Sequence, residues 1–338
     1  MKMGRLFSLM ILSLLCVTAR ADEPNTLATH AGWVTSAAFS PDGALLASGG
    51  GQSLLYRPGD VLLWNVADGT RVAKLDGHSS NVWSVAFSPD GKLLASSGYD
   101  GKIVLFDVAE RKSVATLEKH KGWCRKVTFS PDGKQFASAG EDGSVVVWET
   151  EGTKELKTIA AHGSAVYDLA FLPDGKTLLT AGTDKLAKLW DWQAGTETAK
   201  LEGHEAEVWA VAINKDGNLL ATGGADRKIK LWDAAGKEVA TLEGPKDWIT
   251  CVSFSGDGKL LAAGTLGRVV HVFDVGERKE ISQLTDAKSS VWSVAFSPDS
   301  TLLAVGSHKD SLRLYETSDW KQRFGDQRPT EQGDAKAE

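Results

Sequence analysis

At 338 residues the chain is long enough for two average domains or one large all-β domain, and 42% hydrophobic residues supply material for a core. A formal net charge of -6 leaves no basic surplus to neutralise phosphates, which argues against a nucleic-acid partner. In chain order, Lys2 and Arg5 come first, then an apolar run from Leu6 to Val17, then Ala19-Arg20-Ala21. These read as a Sec-type signal peptide cleaved after Ala21, with a secreted or periplasmic destination. The apolar run is about 12 residues long where a spanning helix needs roughly 20, so no stable membrane anchor is expected after cleavage. Lipidation at Cys16 fits less well, because Leu15 stands where lipoprotein signals resemble one another in having a small residue.

From residue 39 onward one motif recurs. Phe39-Ser-Pro-Asp-Gly43, Phe87-Ser-Pro-Asp-Gly91, Phe129-Ser-Pro-Asp-Gly133, Phe171-Leu-Pro-Asp-Gly175, Ile213-Asn-Lys-Asp-Gly217, Phe254-Ser-Gly-Asp-Gly258 and Phe296-Ser-Pro-Asp-Ser300 occupy equivalent places. The steps between them are 48, 42, 42, 42, 41 and 42 residues, enough for four short strands with their turns. In the second unit Val82, Val85 and Phe87 give an extended apolar segment ended by the Pro89-Asp90-Gly91 turn. Leu93-Leu94-Ala95 opens a second strand, Ile103, Leu105 and Phe106 form a third, and Val114 to Leu117 a fourth. Such a sheet cannot bury both faces alone, so neighbouring units must stack, and seven of them close into a ring. The expected fold is all-β, a seven-bladed propeller with four antiparallel strands per blade. Cys124 and Cys251 fall in repeats three and six, too far apart to bridge easily.

Within the repeats a polar set recurs: His120, Ser138, Asp142 and Trp148; His162, Thr180, Asp184 and Trp190; His204, Thr222, Asp226 and Trp232. Repeat two has His78, Ser96 and Asp100 with Phe106, and repeat one has His30, Ser48 and Trp64, with six extra residues between its second and third strands. The chain here resembles the WD-repeat (WD-40) family, in the manner of a secreted bacterial-type member. The resemblance runs from Asn25 to Tyr315 and implies that the set is a hydrogen-bond network inside each blade. Repeats six and seven depart from it, with Pro245, Ala263 and Gly267, then Ala287, Val305 and Lys309, and are expected to rely on packing. By the family's usual overlap an N-terminal strand, here Glu23 to Leu27, completes the last blade, although Lys321 to Phe324 fits the same slot. Residues 1–21 are thus read as signal, 22–324 as propeller and 325–338 as a disordered polar tail.

Ser, His and Asp together invite comparison with a hydrolase triad, but an enzyme needs one nucleophile and not a buried copy per blade. No catalytic residue is expected. Nor is a metal site: His271 and His308, outside the repeated His position, have no Cys or carboxylate at ligand spacing. The Asp-Gly pairs are turn residues without the alternating carboxylates of a calcium loop, and Gly49-Gly-Gly51 lacks the Lys and Ser or Thr of a phosphate loop. No cofactor is expected.

The aromatic residues are more informative. Four of the twelve Trp residues, Trp64, Trp148, Trp190 and Trp232, sit at the third-strand position of the network. Trp33, Trp123 and Trp248 immediately precede the leading aliphatic residue of a first strand, while Trp83, Tyr167, Trp209 and Trp292 follow it. The resemblance implies that these places, and the residue before the turn Asp, surround one mouth of the channel. That adds Tyr99, Arg125 and Glu141, with His308 counted among them. Aromatic and Arg residues dominate binding hot spots. The chain is therefore read as a non-catalytic scaffold, a monomer within a larger complex, that takes a protein or peptide over this face. Glycan or small-ligand binding on the same aromatics is the alternative.

Overall fold

The computed structural model describes residues 32–51, 58–308 and 311–325. They form seven sheets, each of four antiparallel strands hydrogen-bonded in chain order, which is the expected seven-bladed propeller. The inner strands are Trp33–Phe39, Val82–Phe87, Cys124–Phe129, Val166–Phe171, Val208–Ile213, Ile249–Phe254 and Val291–Phe296. Each neighbours the inner strands of the adjoining blades, and the first meets the last.

Second and third strands, such as Leu93–Gly98 and Lys102–Asp107, are buried almost end to end, because a neighbouring blade covers each face. Fourth strands form the outer rim, and Lys112–Glu118 is mostly exposed, with a charged residue at each end that blunts an otherwise open edge. Arg111 adds to this by donating from Nη1 to the Val72 carbonyl of the preceding blade's rim strand at 3.4 Å; Arg278 does the same to Val239 at 3.3 Å.

The Ser-Pro-Asp-Gly motif is a self-bonded turn. Ser88 Oγ donates to Asp90 Oδ1 at 2.7 Å and accepts the Leu93 amide at 2.9 Å, while Gly91 takes the positive φ of 72° that closes the hairpin. The turns also lean on one another around the ring. A Cβ at Gly91 would lie 3.5 Å from Pro41, one at Gly133 3.3 Å from Pro89, and one at Gly43 3.8 Å from Pro298, which joins blade seven to blade one.

Inner strands are tied together near the axis. Ser36 Oγ accepts the Val85 amide at 3.1 Å, Asp168 Oδ2 accepts Val211 at 2.9 Å, and Ser293 Oγ accepts Ala37 at 2.9 Å across the closure. The last blade corrects the expected overlap: Gln322–Phe324, near the C-terminus, supplies its fourth strand, pairing Leu314 with Phe324 and Tyr315 with Gln322. The N-terminal alternative, residues 23–27, lies outside the described residues, as do His30 and residues 52–57 of the blade-one insertion.

Inside blades two to five the polar set makes its chain of bonds. In blade five His204 Nδ1 lies 2.8 Å from Asp226 and Nε2 2.7 Å from Thr222, whose hydroxyl accepts the Trp232 indole N–H at 2.9 Å. Blade four repeats this with His162, Asp184, Thr180 and Trp190 at 2.8, 2.8 and 3.1 Å. In blade three His120 meets Asp142 at 3.2 Å and Ser138 at 2.8 Å, and Trp148 donates to Ser138 at 3.1 Å. Blade two keeps His78, Asp100 and Ser96 without an indole, and in blade one Trp64 donates to Ser48 at 2.8 Å. With Nδ1–H given to the carboxylate, Nε2 accepts the hydroxyl proton, so a neutral imidazole satisfies every member.

Blades six and seven do not depend on packing alone. Tyr315, at the indole position of blade seven, donates its hydroxyl to Asp286 at 2.7 Å, and His271 of blade six lies 2.6 Å from Glu280. Each substitute pair satisfies buried polar atoms with other residue types.

Burial holds the His120 and His162 imidazoles below the ordinary histidine value. Burial alone would raise Asp142 and Asp184, but hydrogen bonds outweigh it, from Ser144 and the Lys121 amide in one case and His162 in the other, and hold both below the usual carboxylate range. All four groups bind protons more readily unfolded than folded, so the stability they contribute is present at high pH and lost as pH falls. Thermal unfolding followed by circular dichroism should therefore show a melting temperature that is level above about pH 6.5, declines below it as unfolded imidazoles take up protons, and drops further below about pH 4. A melting temperature unchanged down to pH 5 would contradict the neutral-imidazole network.

Candidate binding face at the channel mouth

Every inner strand carries one irregularity at the same place. Pairing with the second strand skips a residue between Val34 and Ser36, Val82 and Ser84, Cys124 and Lys126, Val166 and Asp168, Val208 and Ala210, Ile249 and Cys251, and Val291 and Ser293. The skipped residues are Thr35, Trp83, Arg125, Tyr167, Trp209, Thr250 and Trp292. A bulge leaves its extra residue out of the ladder and re-aims the side chain, here toward the channel mouth. Five of the seven are large. The two threonines turn back instead: Thr250 Oγ1 donates to the Val291 carbonyl at 2.6 Å, and Thr35 Oγ1 bonds the Val82 carbonyl of the next blade.

The large residues meet over the axis. Trp83 stacks on Tyr99 at 4.7 Å between ring centres, approaches Trp123 at 6.4 Å, and reaches across blade one to Trp292 at 6.2 Å. Tyr99 and Trp123 are 4.3 Å apart. Trp209 lies 5.9 Å from Tyr167, 6.5 Å from Trp292 with the rings 10° from parallel, and 5.2 Å edge-on to Trp248. The Arg125 guanidinium sits among Trp83, Trp123 and Tyr167 at 5.1, 5.1 and 4.7 Å, and Nη2 reaches Glu141 at 3.3 Å. Burial pushes the Tyr99 phenol up to about 12. Trp33 and His308 form a separate pair at 3.9 Å.

Sequence reasoning placed all of these residues around a mouth; the structure brings most of them together into a plug. Trp248 is the exposed member, at 43%, and the others are half-buried against one another. Glu207 was missed. Its carboxylate accepts the Trp209 indole N–H at 3.0 Å and the Tyr167 hydroxyl at 3.3 Å. It directly precedes Val208 as Trp33, Trp123 and Trp248 precede Val34, Cys124 and Ile249, and that shared position was the available signal. Also missed was the space behind the plug, a channel of about 550 Å³ lined by small inner-strand residues such as Ser36, Ala38, Ser84 and Ala86 and by the Lys126–Asp168 ion pair at 2.9 Å.

Cys251 lines this channel, but burial pushes its thiol up to about 12, so the nucleophilic thiolate is scarce at neutral pH. Neither Cys251 nor Cys124 is in a disulfide. Among the described residues no group of His, Cys, Asp and Glu could hold a metal ion, and no helix is long and apolar enough to cross a membrane.

Residues 22–57, 69–107 and 111–149 match the family model of the WD domain, G-beta repeat, and residues 165–324 match that of the IFT122 first beta-propeller. With seven blades of four strands, these matches support the WD-repeat family for this chain. A 55-residue segment is 49% identical to "Small ribosomal subunit protein RACK1" of Medicago sativa and of Glycine max, and 46% identical to RACK1z of Arabidopsis thaliana. The matched part covers 16% of this chain and 15% of the length of each relative. Relatives named for the small ribosomal subunit, from plants and not bacteria, overturn the expectation of a secreted or periplasmic location. Residues 1–21, which suggested it, lie outside the described residues.

Arg125 holds three rings and a carboxylate in one cluster. Arg125→Ala should cost about 1–3 kcal/mol in chemical denaturation, the scale of a desolvated cation–π site, and should shift the tryptophan emission to the red. Arg125→Lys should recover less than half, because an ammonium lacks a plane to lay against the rings. Full recovery with Lys would mean that charge alone matters.

Proposed function

We propose that this WD-repeat propeller is a non-catalytic scaffold that recruits a protein or peptide partner across the aromatic mouth. The observation that carries the reading is the bulge in every inner strand, which in five of the seven blades turns a large residue toward a single face. Large aromatic and Arg side chains contribute most to protein recognition when they are held rigid in advance, and here they are held by one another. The repeated Ser or Thr, His and Asp are engaged in satisfying one another and a Trp, which leaves no free nucleophile there. The glycan alternative has less support. A sugar ring needs an open aromatic face, and Trp248 is the one mouth Trp that is largely exposed. The 55-residue similarity to ribosomal proteins spans little more than one repeat and does not identify the partner.

Affinity capture with the intact chain and with Trp83→Ala/Trp209→Ala tests the reading. The double variant should keep its far-ultraviolet circular dichroism and lose the partner by at least about tenfold, as for a central hot spot. Undiminished capture would reject the mouth as the binding face.

A further inference from the structure

The mouth contains two clusters built to one plan, and in one of them the occupant is visible. Around Arg125, three aromatic rings and the Glu141 carboxylate enclose a guanidinium. Next to it, joined through Tyr167, Trp209, Trp248 and Trp292 supply three rings again, two near parallel and one perpendicular, and Glu207 supplies the carboxylate. Among the described residues no cation lies over these three rings, and exposed Lys246 on the turn beside Trp248 is no exception.

The two contacts of Glu207 are with neutral donors, an indole N–H and a phenol, so its charge is fixed in place without a cationic partner among the described residues. Blade six contributes only Thr250 at its bulge, whose side chain turns back, so the large bulge residues of blades five and seven, Trp209 and Trp292, face one another at 6.5 Å between ring centres. Trp248, the most exposed aromatic of the mouth, forms the outer wall.

We propose that this second cluster receives an arginine side chain from an extended segment of the partner, seated as Arg125 is seated in the first. The inference rests on the mouth being the binding face and names the chemistry the mouth selects. Arginine fits better than lysine, because a planar guanidinium can lie on an indole and still hydrogen-bond a carboxylate edge. Fixed negative charge and electron-rich ring faces both complement such a group.

The test uses the full chain and the peptide acetyl-Ala-Arg-Ala-amide, with citrulline and lysine versions as controls, followed through the indole N–H signals by nuclear magnetic resonance. The arginine peptide should shift the Trp209 and Trp248 signals saturably. Neutral citrulline, Glu207→Gln and Trp248→Ala should each weaken binding about tenfold, the scale of one desolvated cation–π or charge-assisted contact. Both substitutions spare the fold, since Gln still accepts the two hydrogen bonds and Trp248 lies at the surface. Equal binding of citrulline, equal binding of lysine, or shifts indifferent to Trp248→Ala would overturn the proposal. If the arginine peptide fails to bind while Trp83→Ala/Trp209→Ala still abolishes capture, the mouth stands and the arginine site falls; if capture is also unaffected, both fall.

Discussion

A four-stranded blade with two apolar faces cannot exist alone in water, and this constraint shapes everything else in the molecule. The apolar interior is accordingly divided among seven cores, each built from two consecutive blades. One of them closes the ring: Val34, Leu46, Leu62 and Trp64 of blade one pack with Leu302, Ala304, Leu312 and Leu314 of blade seven, and Phe324 covers their edge. Around the axis, serine, threonine and aspartate side chains bridge inner strands, and proline leans on glycine between successive turns. Each contact is small. Repeated around a closed ring, they fix the inner strands well enough to hold a surface at one end.

That surface exists because the inner strands are irregular where they reach the mouth. A regular strand would alternate its side chains between the two faces of its blade, as Val85 and Phe87 face blade one and Ala86 faces blade three; the bulge puts an extra residue at the rim and turns it over the axis. Where that residue is Thr it stitches two blades, and where it is aromatic or Arg it joins the plug. Self-stacking holds the indoles in place without a ligand, and on the proposed reading this lowers the ordering cost of binding. The same packing leaves Trp83 Nε1, Trp292 Nε1 and Arg125 Nε buried without hydrogen-bond partners among the described residues, so the plug is packed for its rings and not for its polar atoms.

The parts legible in the sequence were those whose chemistry is local and repeated. Ser-Pro-Asp-Gly announces a turn because its bonds lie within five residues, and the His, Ser or Thr, Asp and Trp spacing survives because each blade rebuilds the same network. Contacts made by one blade only left no such trace. Tyr315 finds Asp286 29 residues away, and Glu207 joins Tyr167 from the next blade, 40 residues along. The mouth residues were found by position, but their merger into a plug was not, since Trp83 meets Trp292 only once the ring has closed. Three residues at the C-terminal side of the chain took the last strand position, where the family resemblance favoured the N-terminus. The apolar N-terminal run gave a location that the relatives contradict.

The central claim is that partners meet the face carrying the bulges, and site-specific photocrosslinking tests it most directly. A benzophenone amino acid would replace Trp248 at the mouth, Lys134 at the opposite turn face, or Val114 on the outer rim, three exposed positions on separate surfaces. The bulge account predicts a partner adduct from position 248 and none from 134 or 114. Adducts from the turn face or rim, with none from 248, would contradict it.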